Sequence, residues 1–192
     1  GREHLNVNRW MKALRNDSKN VRFGFENTFF LFDPCHLDFE FRRCFGPAFD
    51  TDSKDDIMNH KEIVRDGLKL FQDLFSYKAS LFTAPSQIYD QRLESTLNEC
   101  GVKFLDVPRL EKKVRGNMLT RTKINYIGKT NRYNQNYITR NAAFEPNLEE
   151  SYATVEGCLH SIALAFKYNK PAIISNHRTV FTGSIDPKNR EK

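Results

Sequence analysis

The feature that most constrains this chain is the alternation of amphipathic helical stretches with very short apolar runs between Asn59 and Ser175. Asn59 reads as the cap of a helix whose Ile63, Leu68, Leu70, Phe71, Leu74 and Phe75 form a broad apolar face. Ala79 to Thr83 then has the length of a strand, and Ala84-Pro85-Ser86 ends it. Asp90 to Cys100 reads as a second helix with Leu93 and Leu97 in its stripe, and Gly101 stands where a C-terminal cap needs φ > 0. Val102 to Leu105 is a further strand. Ser151 to Tyr168 gives a helix with Val155, Leu159, Ile162, Ala163 and Phe166 on one face, and Pro171 to Ser175 a buried strand. This succession, with connections of a few residues, is the pattern of parallel βα units. The expected fold class is therefore α/β, a parallel barrel or open sheet, with ligands beyond the carboxyl ends of the strands.

The rest of the chain is less regular. Val7 to Arg15 places Val7, Trp10, Met11 and Leu14 at helical intervals, with Asn6 as a cap. Val21 to Phe32 is aromatic-rich with partial alternation and reads as strand or buried loop, and Asp33 to Asp56 as a long connection packed by its own aromatics. Lys123 to Ile127 and Tyr133 to Thr139 have strand composition, after a basic loop. With 192 residues and 39% hydrophobic content, one compact core is expected, so residues 1–192 are taken as a single domain. A chain with 16 Phe and 7 Tyr has too many aromatics to stay disordered, despite a mean hydropathy of -0.64.

Charge and cysteine usage narrow the partners. The formal charge is +6, but Lys and Arg are interspersed with Asp and Glu, which argues against nucleic acid. Glu111 to Arg115 and Arg132 to Arg140 read as solvated faces or as a rim for an anionic ligand. Cys35, Cys44, Cys100 and Cys158 match no metal or redox spacing and read as free thiols, although a Cys35–Cys44 bridge stays open for an oxidising compartment. No apolar run approaches the ~20 residues that span a bilayer, and no signal-peptide pattern opens the chain, so no membrane partner is expected and the cytoplasm is the default compartment.

His177 is the sharpest candidate for chemistry, because it follows Ala172-Ile173-Ile174 where an α/β fold builds its site, and an imidazole there is placed for proton transfer. Neighbouring backbone can equally satisfy such a ring. Arg178 beside it can hold an anionic group or form a rim ion pair. Phe82-Thr83-Ala84-Pro85-Ser86-Gln87 ends another strand, and Pro85 forces an abrupt exit that aims backbone N–H groups at a cleft, or is an ordinary strand-to-helix turn. Glu145, before Pro146, closes a further strand. His4 alone cannot hold a catalytic zinc, which needs about three protein ligands. Glu26, Asp33, His36, Asp38 and Glu40 can supply acid, base or metal groups or be loop charges, and His60 and His160 fall within helices as structural or exposed residues.

Three of these segments together resemble the polysaccharide deacetylase family, the NodB-like carbohydrate esterases. His60 to Val107, with Phe82-Thr83-Ala84-Pro85 and Gly101-Val102-Lys103-Phe104-Leu105, is similar to the family's third motif and the helix after it. Pro171 to Arg178 resembles the fifth motif, where a histidine is general acid, and Gly1-Arg2-Glu3-His4 the end of the second, where two histidines bind the metal. The resemblance implies a partial or distorted parallel (β/α) barrel, a piece of a larger one whose aspartate-rich first motif would precede Gly1 and whose last strand would follow Lys192. It implies a divalent, zinc-like metal with His4 as a ligand, a carbohydrate substrate, His177 as general acid with Arg178 beside it, and Phe82, Thr83, Pro85, Ser86 and Glu145 shaping the sugar pocket. Thr83 or Ala84 replaces the expected arginine of the third motif, and Ser86 the aromatic after its proline. The alternative reading is a lapsed, glycan-binding barrel. With one such metal ligand the chain is expected to hold an ion poorly and to turn over little. Exposed sheet edges would make it prone to self-association.

Overall fold

The computed structural model describes residues 7–28, 48–49, 54–115, 118–145, 153–182 and 187, with backbone alone for 7–9, 54, 112–115, 118–122, 178 and 179. It is a mixed α/β structure with small parallel sheets, and the strands among the described residues form no closed barrel. His4, His36, Cys35, Cys44 and the carboxylates Asp33, Asp38 and Glu40 lie outside the described residues.

Two short helices come first, α1 (Val7–Arg15) and α2 (Lys19–Glu26). Trp10 and Ala13 of α1 and Val21 of α2 are buried. The strand-or-loop reading of Val21 to Phe32 is corrected up to Glu26. Val21 and Gly24 lie one turn apart on the buried side while Phe23 and Phe25 are exposed, so helical spacing prevails over aromatic content.

Helix α3 (Lys54–Phe75) starts ahead of Asn59, with Asp55 and Asp56 in a first turn that suits negative charge. Its outer half does not bury the face expected of it: Leu70, Leu74 and Phe75 are exposed, and Phe71, Phe75 and Tyr77 form an aromatic cluster of their own. Strand β1 (Leu81–Thr83) follows, and then α4 (Glu94–Glu99), which is entered through a single 3-10 turn over Gln91–Leu93. Asp90 caps that turn by accepting from the Arg92 amide. Gly101 has φ +91, as expected of the cap, and leads into β2 (Phe104–Asp106).

After β2 the chain makes an antiparallel ribbon, β3 (Leu110–Arg115) with β4 (Met118–Ile124), and then returns as β5 (Asn136–Ile138). The main sheet has the order β1-β2-β5, all parallel, with Phe82 opposite Leu105 and Leu105 opposite Tyr137. Those three side chains face the helices. They join Val64 of α3, Leu93, Leu97 and Val102 in one core in which Leu93, Leu97 and Leu105 are fully buried. A second parallel pair, β6 (Ala142–Ala143) with β7 (Ile174–Ser175), is connected through α5 (Val155–Lys167). Thr154 caps α5 by accepting from the Gly157 amide. The face proposed for this helix is corrected: Cys158 and Ala165 are buried, whereas Val155, Leu159 and Phe166 are exposed.

Candidate functional site

Because the strands are parallel, their carboxyl ends open on one edge, and most of the candidate residues stand just beyond them. Ala142 pairs with Ile174 and Ala143 with Ser175, and the Phe144 amide continues the ladder to the Ser175 carbonyl. Two residues further along each strand come Glu145 and His177. Strand side chains alternate with a period of two, so this register sends both to the same side. Glu145 Oε1 lies 2.5 Å from His177 Nδ1. The carboxylate is nearly buried, its side chain 10% exposed, while the ring is 71% exposed. A buried carboxylate on Nδ1 fixes the ring orientation and places the Nδ1 proton in the pair, leaving Nε2 toward solvent. The Glu145 amide is itself tied to the Ala153 carbonyl, immediately ahead of α5.

A second polar group links the other strand ends. Asp106, the last residue of β2, is nearly buried and accepts from both Nε and Nη2 of Arg140, at 3.2 and 2.9 Å. Arg140 Nη1 donates to Ser175 Oγ at 3.2 Å, which connects the main sheet to β7 two residues before His177. Gln87 reaches back from beyond β1 and donates to the other oxygen of Asp106 at 2.5 Å. A cavity of about 300 Å³ adjoins this group, with Leu81, Ile138, Ile173 and Ile174 as apolar wall and Asp106 and Arg140 as polar end.

The segment after β1 holds an uncommon backbone. Pro85 opens a 3-10 turn over Pro85–Gln87 in which Ser86 and Gln87 both have φ 56. Two consecutive side-chain-bearing residues in the left-handed region cost about 1–3 kcal/mol each and persist only where surroundings hold them. The Gln87–Asp106 hydrogen bond and the Gln87 amide bond to the Ala84 carbonyl do so here.

The structure thus brings Glu145 to His177, and Thr83 and Ser86 to the same edge of the main sheet as Asp106. Thr83 is the register partner of Asp106. Phe82 turns the other way, edge-on to Phe49 and Tyr89 in the core. Arg178 begins a single 3-10 turn that the His177 carbonyl closes by accepting from the Val180 amide, and the Arg178 side chain lies outside the described residues, as does His4. Asp106 was not among the candidates read from the sequence, and Gln87 and Arg140 stood only at the ends of the segments Phe82 to Gln87 and Arg132 to Arg140. A carboxylate directly after the apolar run Val102 to Leu105 was the available signal for Asp106.

Among the described residues no three His, Cys, Asp or Glu side chains come close enough together to hold a metal ion. Glu145 and His177, with Nδ1 already engaged, offer too few donors by themselves. Cys100 and Cys158 are free thiols. No helix among the described residues is long and apolar enough to cross a membrane.

Beneath the sheet a buried carboxylate organises a separate network. Glu94 Oε1 accepts from the phenols of Tyr137 at 2.8 Å and Tyr89 at 3.3 Å, and Lys123 Nζ donates to the Tyr137 oxygen at 3.2 Å. Burial and the adjacent Glu94 charge push both phenols well above the usual tyrosine value. Comparison with protein-family models, curated proteins and solved structures finds no match to this chain.

Proposed function

We propose that this chain forms the proton-donating edge of a hydrolase that removes an acyl group, most simply acetyl, from an amino sugar, and that its sheets are part of a parallel (β/α) barrel of the polysaccharide-deacetylase type. The observation that carries the reading is the buried Glu145 carboxylate held against Nδ1 of an exposed His177 beyond the carboxyl ends of β6 and β7. That geometry supports the acid role that the resemblance of Pro171 to Arg178 implies for His177.

Amide hydrolysis adds a water oxygen to the acyl carbon and breaks the C–N bond, and the departing nitrogen must gain a proton to leave as an amine. In its imidazolium form, with the Nδ1 proton held by Glu145, His177 donates its Nε2 proton to that nitrogen and regains one from the attacking water. Arg140, ion-paired with Asp106 and bonded to Ser175, lends a fixed polar wall, and the aliphatic cavity beside it offers an apolar surface for the acyl methyl or a sugar face. The resemblance implies a divalent ion. The described residues do not make a site for one, so proton delivery and positioning are the roles derived for them.

The test is acetate release from N-acetylated chitooligosaccharides, with and without added zinc, alongside calorimetric sugar binding. Slow release is expected, falling by about 10²-fold or more in His177→Gln while sugar binding is retained. Sugar binding without release, under either condition, selects the lapsed glycan-binding barrel instead. Absence of both rejects the carbohydrate reading.

A further inference from the structure

A cavity that shares no residue with the carboxyl-edge site carries its own chemistry. It lies between α4, β4 and the β4–β5 connection, has a volume of about 380 Å³, and is lined by Arg92, Lys123, Lys129 and Arg132 around Glu94 and Tyr137. The one carboxylate there is turned inward. Glu94 is nearly buried and is occupied by two phenol hydroxyls, so it presents little negative charge to the opening.

The four cations differ in how far they are already neutralised. Arg92 is chelated by Asp90, and Lys123 lies 3.6 Å from Glu111 as well as over the Tyr137 ring. Lys129 is held by neutral acceptors, the Ile124 carbonyl at 2.7 Å and Asn125 Oδ1 at 3.4 Å, and Arg132 stacks on Tyr133. Among the described residues neither Lys129 nor Arg132 meets a carboxylate.

The loop that presents them is fixed in advance. Asn131 Oδ1 accepts from the amides of Tyr133 and Gln135, its Nδ2 donates to Gln135 Oε1, and Gln135, itself 1% exposed, donates to the Val102 carbonyl under the sheet. A clamp anchored in the core gives the loop little freedom to lose on binding, which favours affinity. Gly128 at φ +88 and Asn134 at φ 61 set the turns on either side.

From these observations the geometry points to a binding site for an oxyanion, a phosphate or carboxylate carried on a sugar-sized molecule. Lys129 and Arg132 hold the anionic group, Thr130 between them offers a hydroxyl, and Gln91 borders the remaining volume. The volume lies in the range of small-molecule sites and exceeds what a bare ion fills. This site is independent of the proposed hydrolase, since none of its residues belongs to the His177 edge.

Calorimetric titration of the whole chain with inorganic phosphate, glucose 6-phosphate, glucuronate and glucose tests it. Saturable binding of the anionic probes is expected, with no heat from glucose, and weakening as salt is added. Arg132→Gln and Lys129→Gln should each weaken binding about tenfold, the loss of one charge-assisted hydrogen bond. Arg132 is exposed, so circular dichroism of that variant should be unchanged, and His177→Gln should bind the anions like the parent chain. Tighter glucose 6-phosphate than glucuronate assigns the anion as phosphate, and the reverse order assigns it as carboxylate. If no anion binds, or if both charge-removing variants bind as the parent does, the proposal is overturned.

Discussion

The unit built from α3, α4 and β1-β2-β5 and the unit built from β6, α5 and β7 use the same βα logic but are held together by different forces. In the first, Leu93, Leu97 and Leu105 have no exposure and the sheet is sealed by aliphatic and aromatic side chains. In the second, α5 leaves Leu159 60% and Phe166 62% exposed, and the buried side chains it contributes are Cys158 and Ala165. A pair of two-residue strands with one helix offers too little surface to bury a helix face, and parallel pairs normally need cover on both sides. Beside the small buried side chains Ala142, Ala153 and Val180, polar ties hold this unit. Asn141 accepts from the Ile173 amide and donates to the Pro171 carbonyl through its side chain, and Arg140 reaches Ser175. An apolar core tolerates loss of any one polar bond, whereas a unit held by such bonds does not.

The sharpest way to break this contrast is to truncate one leucine in each unit. Leu97→Ala is expected to cost about 2–5 kcal/mol in urea unfolding, by lost burial and a cavity. Leu159→Ala should stay within about 0.5 kcal/mol. Equal costs would show that α5 is covered after all. Next in size is Arg140→Gln, which leaves Asp106 short of its charged partner and unties Ser175. A loss of about 1–3 kcal/mol is expected, with faster hydrogen exchange at the Phe144 amide than at the Leu105 amide.

A smaller effect follows from the phenols packed on Glu94. Both titrate higher in the folded chain than in the unfolded one, so as pH rises past the ordinary tyrosine value of about 10 the unfolded chain ionises first. Their contribution is complete below that pH and is lost progressively above it. Stability should fall by about 1 kcal/mol per tyrosine for each pH unit in that window, and Tyr137→Phe should make the fall shallower. A slope unchanged by that substitution would remove Tyr137 as a source of the effect.

Legibility from the sequence followed the local signals. The first helix, Val7–Arg15, was readable from spacing alone, and Gly101 from the need for positive φ. His177 and Glu145 were each visible as polar residues after apolar runs. Their pairing was not, because it depends on the register Ala143 to Ser175, a long-range fact carried by no neighbouring residue. The β3–β4 ribbon ahead of Lys123 reads as a basic loop because Glu111, Lys112, Lys113, Thr120 and Arg121 give no apolar alternation, the usual mark of a strand with one buried face, and only its end, Lys123 and Ile124, has strand composition. The cluster of Asp106, Arg140 and Gln87 was hidden for the same reason as the dyad, being assembled from three separate strand ends. Spacing also overstated burial in α5, since it identifies a face but not whether anything lies against it.

The β3–β4 ribbon has a consequence for how the chain assembles. Parallel pairing of β2 with β5 requires two distant segments to meet, and closing a loose coil of that length is entropically slow. An antiparallel ribbon forms locally within about 1–10 μs, drawing Leu110 and Ile124 together before the sheet exists. The open chain between β2 and β5 would then shrink to residues 107–109 and 125–135, so an excursion that adds nothing to the main sheet would act as the spring clip that lets Tyr137 arrive beside Leu105.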